Sequence, residues 1–121
     1  MDDRDDIRAL VETYFEGLFH GDTNRLRRVF HERARLTGVV RGERSERGLD
    51  EYLAAVAHRR SPESLGDARA MRVIAIDVIG DVAVVRASVA MLGFDYADVL
   101  SLAKHEGRWS IVHKLFTHVG S

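Results

Sequence analysis

Two neighbouring segments carry the residue types in this chain best suited to holding a charged ligand or moving a proton. Ala97 to Lys104 and Arg108 to Val119 alternate apolar and polar residues, as half-buried strands do, and they flank His105-Glu106-Gly107. A three-residue hairpin loop wants glycine where φ is positive, and Gly107 supplies it. Turn type fixes register. Lys104 is therefore expected opposite Arg108, Leu102 opposite Ser110, Leu100 opposite Val112, and Asp98 opposite Lys114. A carboxylate beside an ammonium can orient that cation towards an anionic or carbonyl group, or form an acid–base set. On a wet sheet the same two side chains are an ordinary cross-strand ion pair worth about 0.2–1 kcal/mol. The residues alone leave both readings open. If there is chemistry, it is cofactor-free proton transfer of the isomerase, dehydratase or cyclase kind, with Asp98, Lys114 and His118 as the acid–base set. An adjacent carboxylate strengthens a lysine's hold on its proton, and that conflict favours binding over catalysis.

The elements that must position this pair read as helices first and strands after. Ile7, Leu10, Val11, Tyr14 and Leu18 recur at helical spacing, with Phe15 and Phe19 widening the stripe. His20-Gly21-Asp22 ends that helix, and Asp22 or Thr23 can cap a short second one carrying Leu26, Val29 and Phe30. Arg35 to Arg41 reads as a strand, Gly42-Glu43-Arg44 as its turn, and a short return segment reaches Gly48. Leu49 to Arg60 reads as a third helix, stopped by Ser61-Pro62. Arg72 to Ile79 and Val82 to Met91 flank Gly80-Asp81, a two-residue hairpin loop with glycine first. Ile79 is then expected opposite Val82, Ile76 opposite Val85 and Val73 opposite Ser88. Across the Leu92-Gly93-Phe94 link, Met91 opposite Asp95 puts Ser88 opposite Asp98 and Arg86 opposite Leu100.

Two faces follow from the period of two. One is nearly all apolar: Ile74, Ile76, Val78, Ala83, Val85, Ala87, Val89, Val99, Trp109, Ile111 and Leu115, with His113 as its polar exception. The other mixes Ala75, Val84, Arg86, Ser88, Leu100, Leu102, Val112 and Phe116 with Asp98 and Lys114. The apolar members of this mixed face need a cover, and the Tyr14 side of the first helix is available. An apolar enclosure with a few convergent polar groups is how ligand pockets look. Tyr14 on an apolar helical stripe also fits a core tyrosine with a satisfied hydroxyl.

Composition narrows the classes. A chain of 121 residues, read as a single domain spanning 1–121, can bury one substantial core. With 45% hydrophobic and 31% charged residues it is too apolar to stay disordered. Eighteen basic against nineteen acidic residues give a net charge of -1, so overall charge points to neither nucleic acid nor an anionic membrane. The absence of cysteine removes disulfides, thiolate nucleophiles and cysteine-based metal sites. The six histidines show no metal-ligand spacing, and no phosphate loop, nucleophile elbow or dinucleotide fingerprint occurs, so neither metal nor cofactor is expected. Eight arginines between Arg25 and Arg47 could form a basic patch for an acidic ligand or RNA, or the wet face of a helix and a charged hairpin. Met1-Asp2-Asp3-Arg4-Asp5-Asp6 is unlike a signal peptide and no apolar run spans a membrane, so a cytoplasmic location is the expectation.

The order helix, helix, strand, helix, then a four-strand meander resembles the nuclear transport factor 2-like superfamily. The match is closest to its putative lumazine-binding and ketosteroid-isomerase-like branches. It is carried by Tyr14-Phe15-Glu16-Gly17-Leu18-Phe19-His20-Gly21-Asp22, Leu26 to Phe30, Ile76 to Ala83, Asp98 to Leu102, and Gly107-Arg108-Trp109-Ser110-Ile111-Val112-His113-Lys114-Leu115-Phe116. The resemblance implies an α+β fold: a cone-shaped curved sheet, antiparallel or mixed, capped by three N-terminal helices. It places Tyr14 where the isomerase has an oxyanion-hole tyrosine, and Asp98 where that enzyme has a hydrogen-bond-donating acid. The isomerase's general base falls at Gly38, so steroid isomerisation by that mechanism is not expected. The resemblance further implies that Asp98 and Lys114 face into the cone with Tyr14 as the site's centre. Leu18, Tyr52, Arg86, Ser88, Leu100, Leu102, Val112, Phe116 and His118 would contact a small organic molecule. The superfamily often dimerises through the outer sheet face, so a homodimer through Trp109, Ile111 and their apolar neighbours is expected. The competing reading is a non-catalytic dimeric interaction module whose cone is filled by Phe116, Tyr52 and Leu100.

Overall fold

The structure, a computed structural model, describes residues 2–120. Helix α1 spans Asp3–His20. Asp2 caps it through its side chain, which accepts from the Asp5 N–H at 2.9 Å, and three acidic residues fill the first turn where the helix dipole favours them. Gly21, at φ 66°, ends α1 in the left-handed conformation, and Asp22 then caps α2 (Thr23–Val29). The two helices touch so closely that a β-carbon at Gly17 would lie 2.7 Å from the Leu26 side chain.

The strands are β1 (Phe30–Val40), β2 (Glu43–Gly48), β3 (Ala70–Ile79), β4 (Val82–Met91), β5 (Phe94–His105) and β6 (Arg108–His118), with α3 (Leu49–His58) inserted between β2 and β3. They form one mixed sheet in the order β2-β1-β6-β5-β4-β3, parallel between β1 and β6 and antiparallel elsewhere. This is the expected α+β arrangement. The strand β1 starts earlier than anticipated: Phe30 belongs to it rather than to α2, and wedges edge-on between the rings of Tyr14 and Tyr52, each 5.9 Å away. Helix α1 is pinned at its start by Asp3, whose carboxylate accepts from Lys104 at 3.1 Å and from the Trp109 indole at 3.2 Å. Arg4 donates to the carbonyl of Ile76 at 3.0 Å, tying the same turn to β3.

Register departs from expectation at two turns and a bulge. Leu92-Gly93 and Glu106-Gly107 each hold both residues at positive φ (57° and 82°, 52° and 77°), the pattern of a two-residue hairpin turn. Met91 therefore pairs with Phe94 rather than Asp95, and His105 pairs with Arg108. A one-residue shift moves a strand's side chains to the other face. The face expected to lie outside is accordingly the core: Ile76, Ala83, Val85, Ala87, Val89, Trp109 and Ile111 are buried under the helices. Val84 and Arg86 are exposed on the opposite side, together with Leu115, while Ser88 on that side is half-buried. Between β5 and β6 a bulge adds one residue, Val112, opposite the Ser101/Leu102 step. Beyond it Leu100 pairs with Lys114, and Asp98 with Phe116. Turn and bulge together shift the pairing by two residues, which restores the side-chain parity. Asp98 and Lys114 thus share the inner face as expected, set diagonally and not directly opposite.

Candidate functional site

A cavity of about 200 Å³ opens where the sheet's inner face meets α3 and the β1–β2 hairpin. Its floor is Leu36 on β1, Val89 and Met91 on β4, and Asp98 on β5. Lys114 and Phe116 on β6 form one wall and Tyr52 on α3 another; Ser45 and Arg47 on β2, Arg59 at the end of α3, and Tyr96 complete the rim. The described side chains leave this space between them.

Asp98 is 2% exposed and Lys114 5% exposed, so both ionisable groups have left bulk water. Such burial is costly unless every charge finds partners. Tyr14, fully buried on α1, donates its hydroxyl to Asp98 Oδ2 at 2.5 Å. Lys114 donates to the Tyr52 hydroxyl at 3.2 Å. Its Nζ also lies 4.9 Å from the centre of the Tyr52 ring, 5.1 Å from that of Phe116 and 5.3 Å from that of Tyr14, a three-sided aromatic cage for a cation. Burial pulls the Lys114 proton off, but the oxygen of Tyr52 and the charge of Asp98 outweigh it, and the net effect raises the pKa above the ordinary lysine value. The group stands as an ammonium at neutral pH. Burial and then the Asp98 charge push the Tyr14 hydroxyl well above the usual tyrosine range, so Tyr14 stays a protonated donor.

The Tyr14 hydroxyl is committed to Asp98, and Lys114 is held protonated. Nor is there space for a base at the position of the isomerase's aspartate. Gly38 sits opposite Phe116, and a β-carbon there would lie 2.3 Å from the Phe116 ring.

Of the residues proposed from sequence, Tyr52, Asp98, Lys114 and Phe116 border the cavity, and Tyr14 stands behind Asp98. Leu18, Leu100 and Leu102 are core residues away from its wall. Arg86 and Ser88 point to the opposite face of the sheet, because the two-residue turn at Leu92-Gly93 reverses the parity assumed for β4. Val112, the extra residue of the bulge, does not border the cavity. His118 lies in a separate depression with Arg41 and Asp95, stacked on Phe94 at 4.4 Å, and Tyr96 packs edge-on against it at 4.6 Å. Arg47, Arg59 and Tyr96 were not anticipated. Tyr96 shares its parity with Asp98, a signal hidden by starting β5 at Ala97. Arg47 belonged to the arginine-rich stretch, and its pairing with Leu36 turns it to the inner side.

Residues 2–117 match the family model described as putative lumazine-binding. Among solved structures, an NTF2-like protein of unknown function from Silicibacter pomeroyi is 27% identical, with 94% of this chain and 93% of that one covered at a TM-score of 0.80. One from Methylobacillus flagellatus is 26% identical (99% and 94% covered, TM-score 0.83). Another, from Shewanella baltica, is 23% identical over 100% and 99% at a TM-score of 0.83, which speaks to fold alone. A search among curated proteins finds no match. No helix among the described residues is long and apolar enough to cross a membrane. The helix-capped mixed sheet and the match over nearly its full length agree: the chain belongs to the putative lumazine-binding family of the nuclear transport factor 2-like superfamily.

Proposed function

We propose that this protein binds a small, partly apolar organic molecule in the cavity beside Lys114 and Asp98. One observation carries the reading: two buried ionisable side chains of opposite sign border the same cavity. Apolar contact comes from Leu36, Val89, Met91 and Phe116, and polar contact from Lys114, whose ammonium has donors beyond the one given to Tyr52. At about 200 Å³ the space lies below the roughly 300–1,000 Å³ of drug-sized sites, so the ligand is small. An anionic or carbonyl group on the ligand meets Lys114, while Asp98, fixed by Tyr14, sets the charge balance. Binding without turnover fits the committed hydroxyl, the protonated lysine and the blocked position at Gly38.

Thermal-shift screening of small acids and ketones against wild type and Lys114→Met tests this. Methionine fills similar volume without the charge. Ligands that raise the unfolding temperature of the wild type are expected to lose that effect in Lys114→Met. Equal responses from both proteins, ligand by ligand, would remove Lys114 from the site.

A second copy of the chain is the partner we propose for the outer sheet face. Trp109 and Ile111 cannot serve, being core residues, but Val39, Val84 and Leu115 are exposed on that face.

A further inference from the structure

Arg59 is the residue on which α3 ends. Its N–H still donates to the Ala55 carbonyl at 3.2 Å, but its backbone has turned extended (φ -86°, ψ 160°), and its side chain lies against the cavity. Its Nη2 atom is buried and finds no acceptor on the protein, alone among the described side-chain nitrogens and oxygens that are buried to that degree. Buried guanidinium donors are normally paired, because an unpaired one forfeits its hydration without return. An acceptor from outside the chain would satisfy it once the side chain turns that edge into the cavity. The surroundings say of what sign. Arg47, Arg59 and Lys114 border the same cavity against one carboxylate, Asp98, and that carboxylate already accepts the Tyr14 hydroxyl. The pairing of Leu36 with Arg47 and of Gly38 with Ser45 brings the Arg47 guanidinium and a hydroxyl to the same rim.

We infer that the ligand is a small organic acid, its carboxylate on the Arg59 guanidinium beside Arg47 and a second acceptor, a carbonyl or hydroxyl, towards Lys114. This rests on the binding reading above and names the ligand class. A guanidinium edge matches a carboxylate in shape and charge. The apolar floor of Leu36, Val89 and Met91 suits an organic acid better than a phosphate, which has no apolar part to lie on it. The preference has a built-in selectivity: an amide of the same shape accepts one hydrogen bond but leaves the cation's charge unbalanced and turns an N–H donor towards it.

The test uses the intact protein with benzoate, salicylate, laevulinate and pyruvate, each beside its primary amide, and inorganic phosphate as a further probe. Binding is read by calorimetry in wild type, Arg59→Gln, Arg59→Lys and Lys114→Met, with unfolding curves confirming that each variant folds. At least one acid is expected to bind the wild type about tenfold or more tightly than its amide. Arg59→Gln is expected to lose that preference and Arg59→Lys to keep part of it. Acid and amide binding equally, Arg59→Gln keeping the preference, or phosphate outbinding every acid would overturn the inference. Loss of all binding in Lys114→Met with no change in Arg59→Gln would overturn the inference alone and leave the cavity reading standing. No acid or amide binding the wild type would overturn both.

Discussion

Removing one oxygen atom tests the polar heart of the site. Tyr14→Phe keeps the ring, and with it the edge contact to Phe30 and most of the cage around Lys114, but deletes the hydroxyl that donates to Asp98 at 2.5 Å. Asp98 then keeps its burial and loses a donor. Hydrogen bonds to charged groups contribute about 1.5–3 kcal/mol net, and a buried acceptor left unpaired costs about 1–3 kcal/mol. We expect a loss near 2 kcal/mol. For a chain of this size each kcal/mol moves the unfolding midpoint by roughly 3–5 °C, so the fall is about 6–10 °C. Packing around the missing oxygen contributes too, and a double-mutant cycle with Asp98→Ala separates the two effects. Chemical unfolding of wild type, both single variants and the double variant should give a coupling energy of at least ~1 kcal/mol. A Tyr14→Phe loss below about 0.5 kcal/mol, or single-variant losses that simply add, would refute the claim that this bond holds the buried carboxylate.

Three further outcomes follow from the same structure. Gly38→Ala should destabilise by about 1–3 kcal/mol, because its β-carbon meets the Phe116 ring, and by clearly less in a Phe116→Ala background; equal losses in both backgrounds would disprove the contact. His20 lies between Glu16 and Glu63, one ring nitrogen 3.0 Å from each carboxylate, and its pKa is raised, chiefly by Glu63. A raised folded-state pKa stabilises fully below the unfolded value of about 6.5 and fades as pH rises through the folded value. Urea unfolding of wild type and His20→Gln should therefore converge at alkaline pH and diverge in mild acid, and a gap independent of pH would contradict the clamp. Mass measurement in solution should give a dimer that Leu115→Lys weakens; a wild-type monomer at all concentrations would remove the outer face as an association surface.

Much of the scaffold could be read from residue order, and the reasons are local. Helix α1 announces itself through its apolar stripe and Gly21, both of which act within a few residues. The Gly80-Asp81 hairpin was legible because glycine comes first in a two-residue loop, and Ile76 pairs with Val85 as the turn dictates. The next turns were opaque for a physical reason. Two-residue turns with both φ positive usually carry asparagine or aspartate before glycine. Here leucine and glutamate occupy that position, and the strain they accept hides the turn type. Each added loop residue reverses a strand's faces, which is how Arg86 and Ser88 came to be placed inside and Val85 and Val89 outside. Asp98 and Lys114 stayed on the inner face because the turn and the Val112 bulge cancel in parity, and nothing in the sequence marks that bulge. Arg59 was hidden differently: two arginines in the last turn of a helix read to Arg60 look solvated, and only the extended turn of the chain after His58 sets one of them against the cavity.

The most direct measurement is a crystal structure of the protein with the tightest acid from the screen. The account expects ligand density in the cavity between Tyr52 and Phe116, with a polar atom within hydrogen-bond distance of Lys114 Nζ and Tyr14 still bonded to Asp98. Density elsewhere on the molecule, or a Lys114 side chain turned out into solvent, would contradict it.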